Sequence, residues 1–148
     1  KQRIRFESVD GIQDLVDRWV RLRIRDLAAQ SKFELAWKRL QLDADMIKED
    51  ARIRASHYLI DQWATSFRDQ KKWQQALKIY DRGLSRFPGD RHFVKNATVT
   101  WHAWARPAID AKQWRDAIEI YERALERFPA DGGLQNNLRF CKQQLDDE

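Results

Sequence analysis

The chain has 148 residues, enough for one domain with a continuous core. With 43% hydrophobic and 34% charged residues it is too apolar for disorder and too polar for a membrane protein, and no apolar run reaches the roughly 20 residues that span a bilayer. A formal charge of +5 is compatible with acidic partners without demanding nucleic acid, and the single cysteine, Cys141, excludes an internal disulfide and a cysteine-built metal site. Only 5 Gly and 3 Pro leave few turns, which favours helices over many short strands. The chain begins at Lys1 without a visible signal peptide and reads as a piece of a longer protein, so it names no compartment.

Residues 1–9 read as a flexible or extended lead-in and residues 10–148 as one helical domain. Asp10, Asp50, Asp90 and Asp131 recur every 40 or 41 residues. Each suits a helix N-cap, where a carboxylate accepts bonds from free backbone N–H groups. The spacing predicts helices over approximately 11–29, 51–70, 91–111 and 132–145. Pro107 falls inside the third of these and predicts a kink. Between them lie three more apolar patterns. Trp73, Ala76, Leu77, Tyr80, Gly83, Leu84 and Phe87 are matched 41 residues on by Trp114, Ala117, Ile118, Tyr121, Ala124, Leu125 and Phe128. Spacings of three and four place each set on one helix face. Small residues at 76, 83, 117 and 124 admit a close neighbour, and Pro88 and Pro129 stop the helices. A weaker copy lies 40 residues upstream at Phe33, Ala36, Trp37, Leu40, Asp43, Ala44 and Ile47, with Asp43 breaking the pattern. The prediction is three helical hairpins (about 10–49, 50–89 and 90–130) and a capping helix over 131–146. Leu134, Leu138, Cys141 and Leu145 of that helix cover the last hairpin, and Gln135, Arg139, Lys142 and Gln143 face water.

These residues resemble the tetratricopeptide repeat, whose unit of about 34 residues carries large residues in its first helix and Ala, aromatic, Ala and Pro in its second. In residues 57–90 the matching positions are Ile60, Trp63, Ala64, Phe67, Ala76, Tyr80, Gly83 and Pro88. In residues 98–131 they are Trp101, Trp104, Ala105, Ala108, Ala117, Tyr121, Ala124 and Pro129. Residues 17–50 match only at Val20, Ile24, Leu27, Ala36 and Leu40. The period of 40–41 exceeds the family's, and the extra residues extend each first helix at its N-terminal end. Half-a-TPR repeats of RNA-processing scaffolds share the Tyr-Glu-Arg-Ala-Leu look of residues 121–125 and rank second. The resemblance implies an all-α, right-handed superhelical stack that serves as a protein-interaction scaffold.

It also implies a binding groove lined by the first helices. On this chain the groove positions fall at Arg18, Arg21 and Arg25, then at Tyr58, Asp61, Gln62, Thr65 and Arg68, then at His102 and Arg106. Leu22, Ala28, Ala29, Asp69, Val99, Ala103, Ile109 and Asp110 complete them. The excess of arginine favours an acidic or carboxylate-ended protein segment, because guanidinium binds carboxylate through two parallel bonds. The positions that clamp a chaperone tail in some family members here hold Arg21, Arg25, Gln62, Val99 and Ala103, which argues against that ligand.

Nothing reads as catalytic or metal-binding, and no cofactor is implied. His57, His92 and His102 show no metal-like spacing, and His57 and His102 read as ordinary surface residues. Trp63, Trp73, Trp101, Trp104 and Trp114 sit at repeat positions and read as packing residues rather than a base-stacking platform. Acidic residues, 23 in all, are mixed through the same helices and argue against nucleic acid. Self-association through an exposed first helix is a further reading.

Overall fold

The computed structural model describes residues 9–148. Of the predicted lead-in, residues 1–8 lie outside the described residues, and Val9 already lies in the first helix. Among the described residues the chain is all-α. It runs α1 (Val9–Ala29), α2 (Phe33–Leu42), a 3-10 turn (Ala44–Met46), α3 (Glu49–Asp69), α4 (Trp73–Arg86), α5 (Arg91–Asp110), α6 (Trp114–Arg127) and α7 (Gly132–Asp146). The described residues divide into two compact units, one up to residue 65 and the other over 66–148. No described helix is long and apolar enough to cross a membrane.

In the N-terminal unit α1 packs on α2. Val20, Ile24 and Ala28 of α1 meet Ala36 and Leu40 of α2 and Ala55 and Leu59 of α3, with Ile47 closing the cluster. Asp43 interrupts the helical pattern for a specific reason. It is buried, accepts a bond from Arg39 Nε at 3.0 Å, and terminates α2 at ten residues. The chain then turns through residues 44–46, yet Ala44 and Ile47 still reach the core.

In the C-terminal unit α4 packs on α5, α5 on α6 and α6 on α7. Ala76 and Ala117 are fully buried, as the small-residue position requires. Gly83 has a sharper reason to be small, since a Cβ there would stand 2.8 Å from the ring of the fully buried Phe93. Trp63, Trp101 and Trp114 are buried and Trp73 and Trp104 half-buried, so the tryptophans do pack. Arg123 of α6 lies over Trp104 at 4.9 Å, and Trp104 stacks on Trp101. On α7, Leu134 and Cys141 are buried, Leu138 and Leu145 half-buried, and Gln135, Arg139, Lys142 and Gln143 exposed. Pro107 stands in the last turn of α5.

Among the described residues two of the four aspartates, Asp90 and Asp131, act as side-chain caps. Asp90 accepts from the Phe93 N–H at 3.0 Å and Asp131 from the Leu134 N–H at 2.8 Å. Asp10 lies within α1, and Asp50 lies inside the first turn of α3, which begins two residues earlier than a cap at Asp50 requires. There a carboxylate still favours the positive end of the helix dipole.

The three hairpin turns are alike and contain no glycine. Ser31, Lys71 and Lys112 each adopt positive φ, at 57°, 56° and 54°. In each turn the following N–H reaches back to close the helix, from Lys32 to the Leu27 carbonyl, Lys72 to Phe67 and Gln113 to Ala108. This is a Schellman ending with a lysine or serine where glycine is usual.

Candidate partner-binding site

The N-terminal unit carries a basic recess between α1 and α3. Residues Arg18, Arg21 and Arg25 recur along one side of α1 because three- and four-residue steps keep them together. Arg21, Arg25, Ile24, Arg54, Ala55 and Tyr58 line a hollow of ≈ 210 Å³. A second hollow beside it is lined by Asp14, Asp17, Arg18, Arg21, Ala51 and Arg54. Arg21 and Arg54 border both.

Charge within this recess is unevenly neutralised. Arg54 pairs with Asp50 at 3.0 Å, and Arg25 lies over the Tyr58 ring at 4.8 Å. Asp14 and Asp17 are already engaged. Lys48 Nζ bonds Asp14 at 3.1 Å, and Asp17 accepts from the Lys48 backbone N–H at 3.1 Å and from Gln13 at 2.9 Å. The Asp14 carboxylate also raises the Lys48 ammonium pKa through its hydrogen bond and its charge. Neither Arg18 nor Arg21 forms an ion pair with another described residue. Among the described residues the recess therefore presents two unpaired guanidiniums and a third held over an aromatic face.

Of the predicted positions, this unit brings Arg18, Arg21, Arg25 and Tyr58 together. Gln62 and Thr65 are exposed on α3 and Asp61 is half-buried there, but none of the three lines the recess. Ala28, predicted to face the groove, is buried instead, since it belongs to the face of α1 that meets α2. Arg54 was not among the predicted positions. It lies one turn before Tyr58, in the N-terminal extension of the first helix that the 34-residue frame omits.

In the C-terminal unit Arg68 is half-buried near the end of α3. His102 and Arg106 share a concavity with Ile109, Tyr121, Asn137 and Phe140. His102 is not an ordinary surface residue. Its Nδ1 lies 3.2 Å from the Tyr121 hydroxyl and 3.0 Å from Asn137 Nδ2, and Asn137 also donates to Tyr121 at 3.3 Å. An amide nitrogen can only donate, so in this arrangement Nδ1 is placed to accept from Asn137. Burial pushes the Tyr121 phenol upward, and the Asn137 donor pulls it partly back. The triad joins α5, α6 and α7 into a fixed corner. Arg106 is occupied by Asp110 at 2.9 Å, on a strongly exposed edge where such a pair is easily exchanged.

Residues 60–90 and 101–131 each match the family model of the tetratricopeptide repeat. Both matched segments close just past a helix-stopping proline, Pro88 and Pro129, and each spans the second part of a first helix and all of the second. A search of curated proteins finds no match.

Proposed function

The chain belongs to the tetratricopeptide repeat family, whose repeats are in general protein-interaction modules, and on that premise we propose that its N-terminal unit captures an acidic or carboxylate-ended protein segment in the recess between α1 and α3. The observation that carries this reading is the convergence of Arg21, Arg25 and Arg54 around Tyr58, with Arg18 in the adjoining hollow and Arg18 and Arg21 free of ion pairs among the described residues. Guanidinium groups one turn apart suit the two oxygens of a carboxylate. The Tyr58 ring and Ile24 supply the apolar floor against which a bound backbone excludes water.

Arg21→Glu with Arg25→Glu tests it. A labelled acidic peptide with a free carboxylate end should lose affinity by at least about tenfold, since interfacial charge reversals of this kind cost more than about 1.4 kcal/mol. Circular dichroism should stay unchanged, because both side chains are exposed. The difference should shrink with salt, as exposed charges are screened beyond about 10 Å at 0.1 M. Equal affinity of wild type and double variant would sink the assignment. Tighter retention on RNA than on any acidic peptide, lost steeply with salt, would move the function to nucleic acid.

A further inference from the structure

Helix α1 has a second apolar face that the recess does not use. Ile12, Leu15, Trp19 and Leu22 are 56%, 61%, 50% and 51% exposed. Their spacing is three, four, three, which is the a/d seam of a heptad and winds along one side of a helix. The opposite side of the same helix, Val20, Ile24 and Ala28, is buried against α2 and α3. Asp26, exposed and next in the seam, ends the stripe by bonding locally with Gln30. A contiguous row of four large apolar side chains on one helix is an interaction feature rather than scattered exposure.

The border of the stripe says what covers it. Arg18 and Arg25 fall at the g positions of this heptad and Arg23 at an e position. Arg23 lies over the Trp19 ring at 5.3 Å, which keeps its charge at the seam. A second copy of α1 meets these arginines badly. Antiparallel pairing sets Arg18 and Arg25 against their counterparts, and parallel pairing sets Arg18 against Arg23. Like charges at e and g oppose pairing, and opposite charges choose the partner.

We propose that the Ile12–Leu22 stripe docks an amphipathic helix of another protein, one that presents an apolar a/d face flanked by Glu or Asp. The partner's aliphatic side chains fill the spaces between Leu15, Trp19 and Leu22, and its carboxylates meet Arg18, Arg23 and Arg25. Trp19 is the anchor, since a half-exposed tryptophan at the centre of an apolar row gains most from being covered. This surface shares Arg18 and Arg25 with the edge of the recess, but its apolar row lies outside it. It recognises a folded helix by its apolar face, whereas the recess recognises carboxylates.

A three-heptad synthetic helix with Leu at a and d and Glu at e and g is the probe, and its own like charges keep it from self-pairing. Binding to the whole chain is followed by anisotropy of the labelled peptide and by Trp19 fluorescence, with Trp19→Phe identifying that signal. Leu15→Glu with Leu22→Glu should weaken binding by at least about tenfold while leaving the circular dichroism unchanged. Arg21→Glu, which acts in the recess, should leave this binding intact, and the stripe variant should leave carboxylate-ended peptide binding intact. The two assignments therefore fail separately. A Lys-flanked version of the same helix should bind at least about tenfold more weakly, and equal binding would overturn the acidic partner. No binding of the Glu-flanked helix, or sedimentation showing a dimer that the stripe variant abolishes, would overturn the proposal, the latter in favour of a second copy.

Discussion

The two units of the chain treat their outer helices in opposite ways. Helix α7 of the C-terminal unit turns Leu134 and Cys141 inward and offers water mainly polar side chains. Helix α1 of the N-terminal unit is apolar on two sides and buries only one. Of nine exposed large hydrophobic residues among the described ones, seven (Ile12, Leu15, Trp19, Leu22, Leu35, Leu42 and Met46) belong to the N-terminal unit, and Val99 and Phe140 to the other. Phe140 is in addition braced edge-on against Trp114. Since a helical repeat cannot bury both of its faces alone, an outer helix either turns polar or waits for a neighbour. One unit follows the first course and the other the second, which is why binding is sought on α1.

The strongest way to erase the contrast is to remove α7. Without residues 132–148 the C-terminal unit exposes the surface that Leu134 and Cys141 cover. Loss of one fully buried leucine costs about 2–5 kcal/mol, so the truncated chain should aggregate or melt far below the whole one. A soluble truncation with an unchanged thermal transition would show that α7 does not close the unit.

A smaller perturbation asks how closely the C-terminal unit is packed. Gly83→Ala gains about 1 kcal/mol of helix propensity but drives a methyl into the Phe93 ring, an overpacking that costs about 1–3 kcal/mol. The net expectation is a loss near 1 kcal/mol in a denaturant titration. Forty-one residues on, the same positions hold Ala124 and Leu134, a larger residue facing a smaller one. Phe93→Leu should therefore cost less in the Gly83→Ala background than in the wild type, and additive losses would mean that the two sites do not share space.

The smallest expected effect lies in the turns. Lys112→Gly relieves a positive φ that costs about 1–2 kcal/mol and adds about 0.5–1 kcal/mol of glycine entropy, so stability should rise by up to about 1.5 kcal/mol. A fall in melting temperature would show that the lysine side chain contributes more than its backbone strain costs.

The fold was legible in the sequence because two signals agreed, the three-and-four spacing from Trp73 to Phe87 and from Trp114 to Phe128, and carboxylate caps at Asp90 and Asp131. Where only one signal was present the reading slipped. Asp10 and Asp50 kept the period without being caps, and Asp43 ended α2 early while its apolar neighbours still reached the core. The turns at Ser31, Lys71 and Lys112 carry no glycine to announce them. The lining of the α1–α3 recess was half legible. Arg18, Arg21, Arg25 and Tyr58, which border it, fell within the repeat frame, whereas Arg54 fell outside it. The Ile12–Leu22 stripe was obscured because α1 also carries a full core face, and two apolar faces on one helix blur each other's period. The bonds of His102 were invisible for another reason, since they join residues 19 and 35 positions away.

Cys141 gives the chain a built-in clock. It is the one cysteine of the sequence, it is completely shielded, and burial pushes its thiol pKa above the ordinary value. Only a thiolate attacks an alkylating reagent, so the native chain resists modification until α7 lifts away. The rate of that modification in excess reagent reports how often this helix detaches, separately from unfolding of the whole molecule. A partner that clamps α7 would slow the clock, and one that docks on α1 alone would leave it running at its own pace.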